Sequence, residues 1–150
     1  MKTNIFGNKL IECQPGERYG GSQLLDGTCS ELDGGVHQIC VKQIGKGINF
    51  AKETGQSDWS TNRGSKNHCA CLGAWANYVA RGHNDKDLKC ESIPSTALSR
   101  EYISKWSNWN NVTIDNQYKE GINALYRICI QQAKNQDELD YMNELVKNMF

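Results

Sequence analysis

The sequence predicts an α+β fold, a small β-sheet covered by helices, with a C-terminal two-helix extension. Three observations carry that reading. The stretch VHQICVKQI alternates and is rich in β-branched residues, the pattern of a half-buried strand. Later segments carry apolar residues at helical spacing. The chain has 150 residues, of which 38% are hydrophobic, enough for one core and an appendage.

The elements follow in chain order. Residues 14–35 are punctuated by QPGERYGG, LDGTC and LDGG, whose Asp-Gly and Gly-Gly pairs supply the positive φ of tight turns. The strand comes next, with His37, Ile39 and Val41 on one face and Gln38 and Cys40 on the other. GKGINFAKETG reads as a short helix stopped at Gly55. A polar loop, QSDWSTNRGSKN, leads into HCACLGAWANYVARG, where Cys71, Trp75, Tyr78 and Val79 share one helical stripe. Asn67 suits its N-cap and Gly82 its stop. DLKCESI reads as a short strand, and STALSREYISKW as a helix capped by Ser95 or Ser99. Two amphipathic helices complete the chain. One carries Ile122, Leu125, Tyr126 and Cys129 on a stripe; the other carries Leu139, Met142, Leu145, Val146 and Met149. A polar turn around Asn135 joins them. The organisation expected is a Cys/His-containing core over residues 1–106 and a helical hairpin over 107–150, packed on that core with Trp106 and Trp109 at the joint.

Composition narrows the function classes. Seventeen basic residues balance seventeen acidic ones, so no electrostatic argument points to nucleic acid or to an anionic membrane surface. The apolar runs are too short to span a bilayer, and the first residues turn polar before a signal-peptide core forms. A cytoplasmic location is the expectation. Seven cysteines without an export signal are then expected as free thiols or metal ligands, not disulfides.

Several ordered motifs support a resemblance. They begin with Asn4, Gly7, Leu10 and Cys13, followed by Asp26, Gly27 and Cys29. Next come Asp33, Gly35, His37 and Cys40, then Gly55, Asp58, Ser60 and Thr61. Cys69, Cys71 and Trp75 close the series. Together they resemble the uncharacterised family known as domain of unknown function 2237, over about residues 4–106. His68 stands where that family's tryptophan usually is, and Ala74 where it has an arginine. The resemblance implies no activity, because the family has none established.

The chemistry-bearing residues suggest a polar pocket. If Cys69 and Cys71 open a helix, they sit about 200° apart around its axis. Cys71 then belongs to the buried stripe. Cys69 lies near the unpaired N–H groups of the first turn, where a thiol is acidified and reactive. Cys69, Cys71, His37 and Asp58 are therefore the catalytic candidates, with the imidazole as base and a carboxylate to orient it. Asp33, Trp59, His68 and Trp75 are the ligand-binding candidates. The expected function is binding of a small molecule, or thiol-assisted chemistry on it, in a small soluble protein. Alternatives are a non-enzymatic zinc or iron binder using Cys13, Cys29, Cys40, Cys69 and Cys71, and an adaptor acting through the C-terminal helices. No phosphate loop, dinucleotide fingerprint, zinc-protease motif or nucleophile elbow is present.

Overall fold

The computed structural model describes residues 2–17, 20–31, 37–105, 108–109, 112–113 and 117–149, with 103–105 and the pairs 108–109 and 112–113 described by backbone alone. The fold is mixed α+β, as the sequence predicts. Strand β1 (His37–Val41) pairs antiparallel with β2 (His68–Cys71), and between them lies a one-turn helix, α1 (Phe50–Glu53). Helix α2 (Leu72–Ala80) leaves the end of β2 directly, followed by α3 (Arg100–Lys105). A second small ladder joins β3 (Asn108–Trp109) to β4 (Val112–Thr113), and α4 (Tyr118–Ile130) and α5 (Gln136–Lys147) end the chain.

The caps explain several boundaries. Asn49 accepts from the Lys52 N–H to start α1, and Asn135 accepts from the Glu138 N–H to start α5. The Ser99 hydroxyl accepts from the Tyr102 N–H at 3.2 Å, so Ser99 serves the cap expected of it. Gly55 follows α1 with φ of 77°, the left-handed conformation its helix-stop role needs.

Two boundaries differ from the sequence reading. The segment predicted as a helix from about residue 68 starts as strand, and the helix begins only at Leu72. Backbone pairing with β1 outweighs the helical stripe there, and Asn67 is engaged elsewhere. Its side chain donates to the Cys13 carbonyl at 2.8 Å and accepts from the Gln43 N–H. The second difference is DLKCESI. It holds only a single bridge, Val41 to Leu88, before a 3₁₀ turn at Cys90–Ser92.

The C-terminal helices lie on the rest of the molecule. Ile122, Leu125, Cys129 and Met142 are fully buried, and Leu145 and Val146 pack partly against the same core. Trp75 of α2 donates its indole N–H to the Gly121 carbonyl at 3.0 Å. A Cβ on Gly121 would stand 3.0 Å from the Ala76 Cα, so glycine is what lets α4 approach α2 this closely. Trp106 lies outside the described residues, and Trp109 is described by backbone alone.

The cysteines overturn the free-thiol expectation. Cys13–Cys40, Cys29–Cys69 and Cys90–Cys129 are disulfides, and Cys71 is the free thiol. Sequence spacing could not show this, because each pair spans 27 to 40 residues and forms only once loops and helices fold onto the sheet. Among the described residues, no helix is long and apolar enough to cross a membrane.

Candidate functional site

A cavity of about 260 Å³ opens beside the β1–β2 ladder. Phe50, Ala70 and Ala74 supply apolar lining. Trp59 and His68 add a stacked pair with ring centroids 4.2 Å apart. His37, Cys71, Arg63, Gln56 and Ser22 bring the polar groups.

The register of the ladder decides which side chains meet here. Val41, Cys40 and Ile39 pair in turn with His68, Cys69 and Ala70; then the register slips, and His37 rather than Gln38 stands opposite Cys71. Directly opposed residues of an antiparallel pair project to the same face, with Cβ atoms about 4.5–5.5 Å apart. The bulge therefore aims His37 and Cys71 at one space, a use of bulges frequent beside active sites. Gln38, the extra residue, is fully buried. It is fixed by donating to the Glu31 carbonyl and by accepting from Thr96.

His37 Nδ1 lies 2.6 Å from the Glu31 carboxylate. A carboxylate only accepts, so the proton sits on Nδ1 and Nε2 is left as the basic nitrogen. Cys71 is 2% exposed and takes the N-cap position of α2, where the Ala74 N–H points to its sulfur. That contact favours thiolate, but burial is the larger effect and pushes the thiol up to about 12. The resting thiol is neutral.

His68 is also held neutral. Burial, aided by the nearby Arg63 charge, brings its pKa down to about 3. Arg63 contacts Glu17 at 2.6 Å and donates to the Asn67 carbonyl at 2.7 Å. The Arg63 hydrogen bond is the main reason Glu17 titrates below its usual range. Two buried atoms of the lining residues, His68 Nδ1 and Arg63 Nε, have no hydrogen-bond partner among the described residues. An orphaned buried polar atom costs about 1–3 kcal/mol, and a bound hydrogen-bonding group would remove that cost.

The sequence-derived candidates separate cleanly. His37, Cys71, Trp59 and His68 line the same cavity. Cys69 does not: its sulfur is bonded to Cys29, which removes the reactive thiol expected there. Asp58 turns away to accept from Asn49 and Thr61 at 2.8 Å each, organising its own loop. Trp75 faces α4, and Asp33 lies outside the described residues. Of the five cysteines offered to a metal, Cys13, Cys29, Cys40 and Cys69 converge as two disulfides, while Cys71 is apart from that group. The sequence reading missed Glu31, Gln56, Arg63 and Ser22. Glu31 sits six positions before His37 in sequence, and no periodicity links such a pair.

Compared with known proteins, the chain matches no family model, no curated protein and no solved structure.

Proposed function

We propose that the cavity binds a small molecule with a polar, carbonyl-bearing group and that Cys71 acts on it as a nucleophile. His37 is the base and Glu31 holds its imidazole in position. One observation carries the reading: Cys71 and His37 are opposed across the bulge and line one cavity, with the Glu31 carboxylate on Nδ1 of the ring. A thiol, an imidazole and a carboxylate in this relation support a nucleophile–base–orienter reading. A volume of about 260 Å³ equals roughly nine water molecules at ~30 Å³ each, so the ligand is small.

The chemistry is acyl transfer. The Cys71 sulfur bonds to the carbonyl carbon as its proton passes to His37 Nε2. The carbonyl π-pair moves to oxygen, then re-forms as the leaving group departs with the His37 proton. Water activated by the same nitrogen cleaves the thioester and restores the thiol. Because the resting thiol is neutral, proton removal accompanies attack instead of preceding it.

The test is covalent capture. Native protein is exposed to a small activated ester, and the modified site is mapped by mass. We expect a Cys71 adduct that is lost in C71S and formed at least tenfold more slowly in H37Q. Equal rates in wild type and H37Q, with melting unchanged, would remove the base from the mechanism. A second reading, binding without chemistry, is favoured by the burial that pushes the Cys71 thiol up to about 12. It requires ligand binding to survive C71S and no adduct to form.

The three disulfides support an oxidising setting for this chain rather than the cytoplasmic one the sequence reading expects.

A further inference from the structure

The Cys13–Cys40 and Cys29–Cys69 bonds lie side by side. The sulfurs of Cys13, Cys29 and Cys40 are within 4.8 Å of one another, and the fourth, Cys69, is bonded to Cys29. All four residues are fully buried. Cys40 and Cys69 are register partners on adjacent strands, yet each bonds to a loop cysteine instead of to the other. The result is two sulfurs from the ladder and two from loops, in one buried cluster.

Backbone and side-chain hydrogen bonds hold the same segments alongside the sulfur–sulfur bonds. The Cys13 N–H donates to the Gly27 carbonyl at 3.1 Å, which ties one loop to the other. Asn67 donates to the Cys13 carbonyl and so ties both to the entry of β2. The ladder itself holds Cys40 opposite Cys69. When both disulfides are reduced, four thiols are left packed together in a site closed to water.

We propose that this four-cysteine cluster, once reduced, binds one zinc ion as a tetrathiolate. The donor set is that of a structural zinc site: four sulfurs, tetrahedral, with no position open to water. Zn–S bonds of about 2.3 Å require sulfurs about 3.8 Å apart, so the bonded sulfurs must part once reduced, while Cys13, Cys29 and Cys40 already lie within 4.8 Å of one another. The balance is simple. A dithiol reductant gives two electrons and two protons to each disulfide and leaves as its own cyclic disulfide. Zinc then displaces four protons from four thiols. The centre thus has two closed states, paired disulfides under oxidising conditions and a zinc tetrathiolate under reducing ones. Cys71 takes no part, so the proposal stands or falls apart from the pocket chemistry.

The experiment uses the full chain, reduced by a dithiol and transferred without oxygen to reductant-free buffer, then titrated with cobalt(II) and with zinc(II). We expect one cobalt per chain, with thiolate-to-metal charge-transfer bands and the visible bands of tetrahedral geometry, displaced by zinc. C40S and C69S should lose these bands or weaken binding at least tenfold, whereas C71S and C129S should keep them. Zinc should also raise the melting temperature of the reduced wild type, reversed by a chelator, which gives a readout even if a serine variant folds poorly. No stoichiometric cobalt in the reduced wild type would overturn the proposal. Bands that survive in C40S, or that vanish in C71S, would overturn it equally.

Discussion

His37 and Cys71 stand opposite one another across the β1–β2 ladder only because Gln38 is bulged out between them. With uninterrupted register, Gln38 would face Cys71 and the imidazole would be displaced from the thiol. The Glu31 carboxylate then fixes the ring through Nδ1. The expected consequence is a graded effect at Glu31. E31Q should slow ester capture at Cys71 by roughly tenfold, less than the 10²–10⁴-fold typical of losing a general base, with E31A slower still. Capture rates across pH, measured beside melting curves, separate orientation from folding. An E31Q rate equal to wild type at every pH would show that the carboxylate does not position the ring.

The cysteine pairing makes a count. Unfolded without reductant, the protein should present one alkylatable thiol, mapped to Cys71, and all seven after reduction. In the folded state Cys71 should react slowly with a bulky thiol reagent, since it is 2% exposed. A second labelled cysteine in the unreduced chain would break one of the three pairs.

Cys90–Cys129 fastens α4 to the loop that follows α2. Its partners are 39 positions apart, and closing a loop of that size is worth about 4 kcal/mol in the chain-entropy account. The double variant C90A/C129A should unfold at a denaturant midpoint lower by that order, with helix content largely kept in water. A change below about 1 kcal/mol would mean that packing against α2, not the cross-link, holds α4.

Gly121 tests that packing directly. An added methyl would press on the Ala76 backbone at 3.0 Å, so G121A should cost about 1–3 kcal/mol as overpacking, despite alanine's better helix propensity. Chemical denaturation measures it. Fluorescence of Trp75, whose indole binds the Gly121 carbonyl, should shift along with stability.

His68 sets an acid limit. Its folded pKa, near 3, lies below the 6.5 of the free imidazole, chiefly through burial. The unfolded chain therefore binds a proton that the folded chain refuses. Stability falls as pH drops from about 6.5 toward 3 and is fully present above that window. Arg63, His37 and Glu17 are the charged groups acting on the ring, the first two against protonation and Glu17 for it. Glu17, itself held low, adds its own loss below its ordinary value of 4.5. H68Q should flatten the stability curve between pH 6.5 and 4.5. An unchanged slope would mean that the ring is solvated.

The α+β class, the position of β1, a serine cap at Ser95 or Ser99, the turn around Asn135 and both C-terminal helices were legible in the sequence, because periodicity and capping act over a few neighbouring residues. So was the presence of His37, Cys71, Trp59 and His68 as groups with chemistry to offer. Tertiary structure decided what those groups do. Cys69 and Cys71 differ in fate because a loop brings Cys29 to the first while the second turns into the start of α2. His37 meets Cys71 through a one-residue slip in register, and the Glu31 carboxylate meets its Nδ1. Pairing of sulfurs, slippage of strands and closure of turns depend on which distant segments meet in space, and residue order carries no local signal for that.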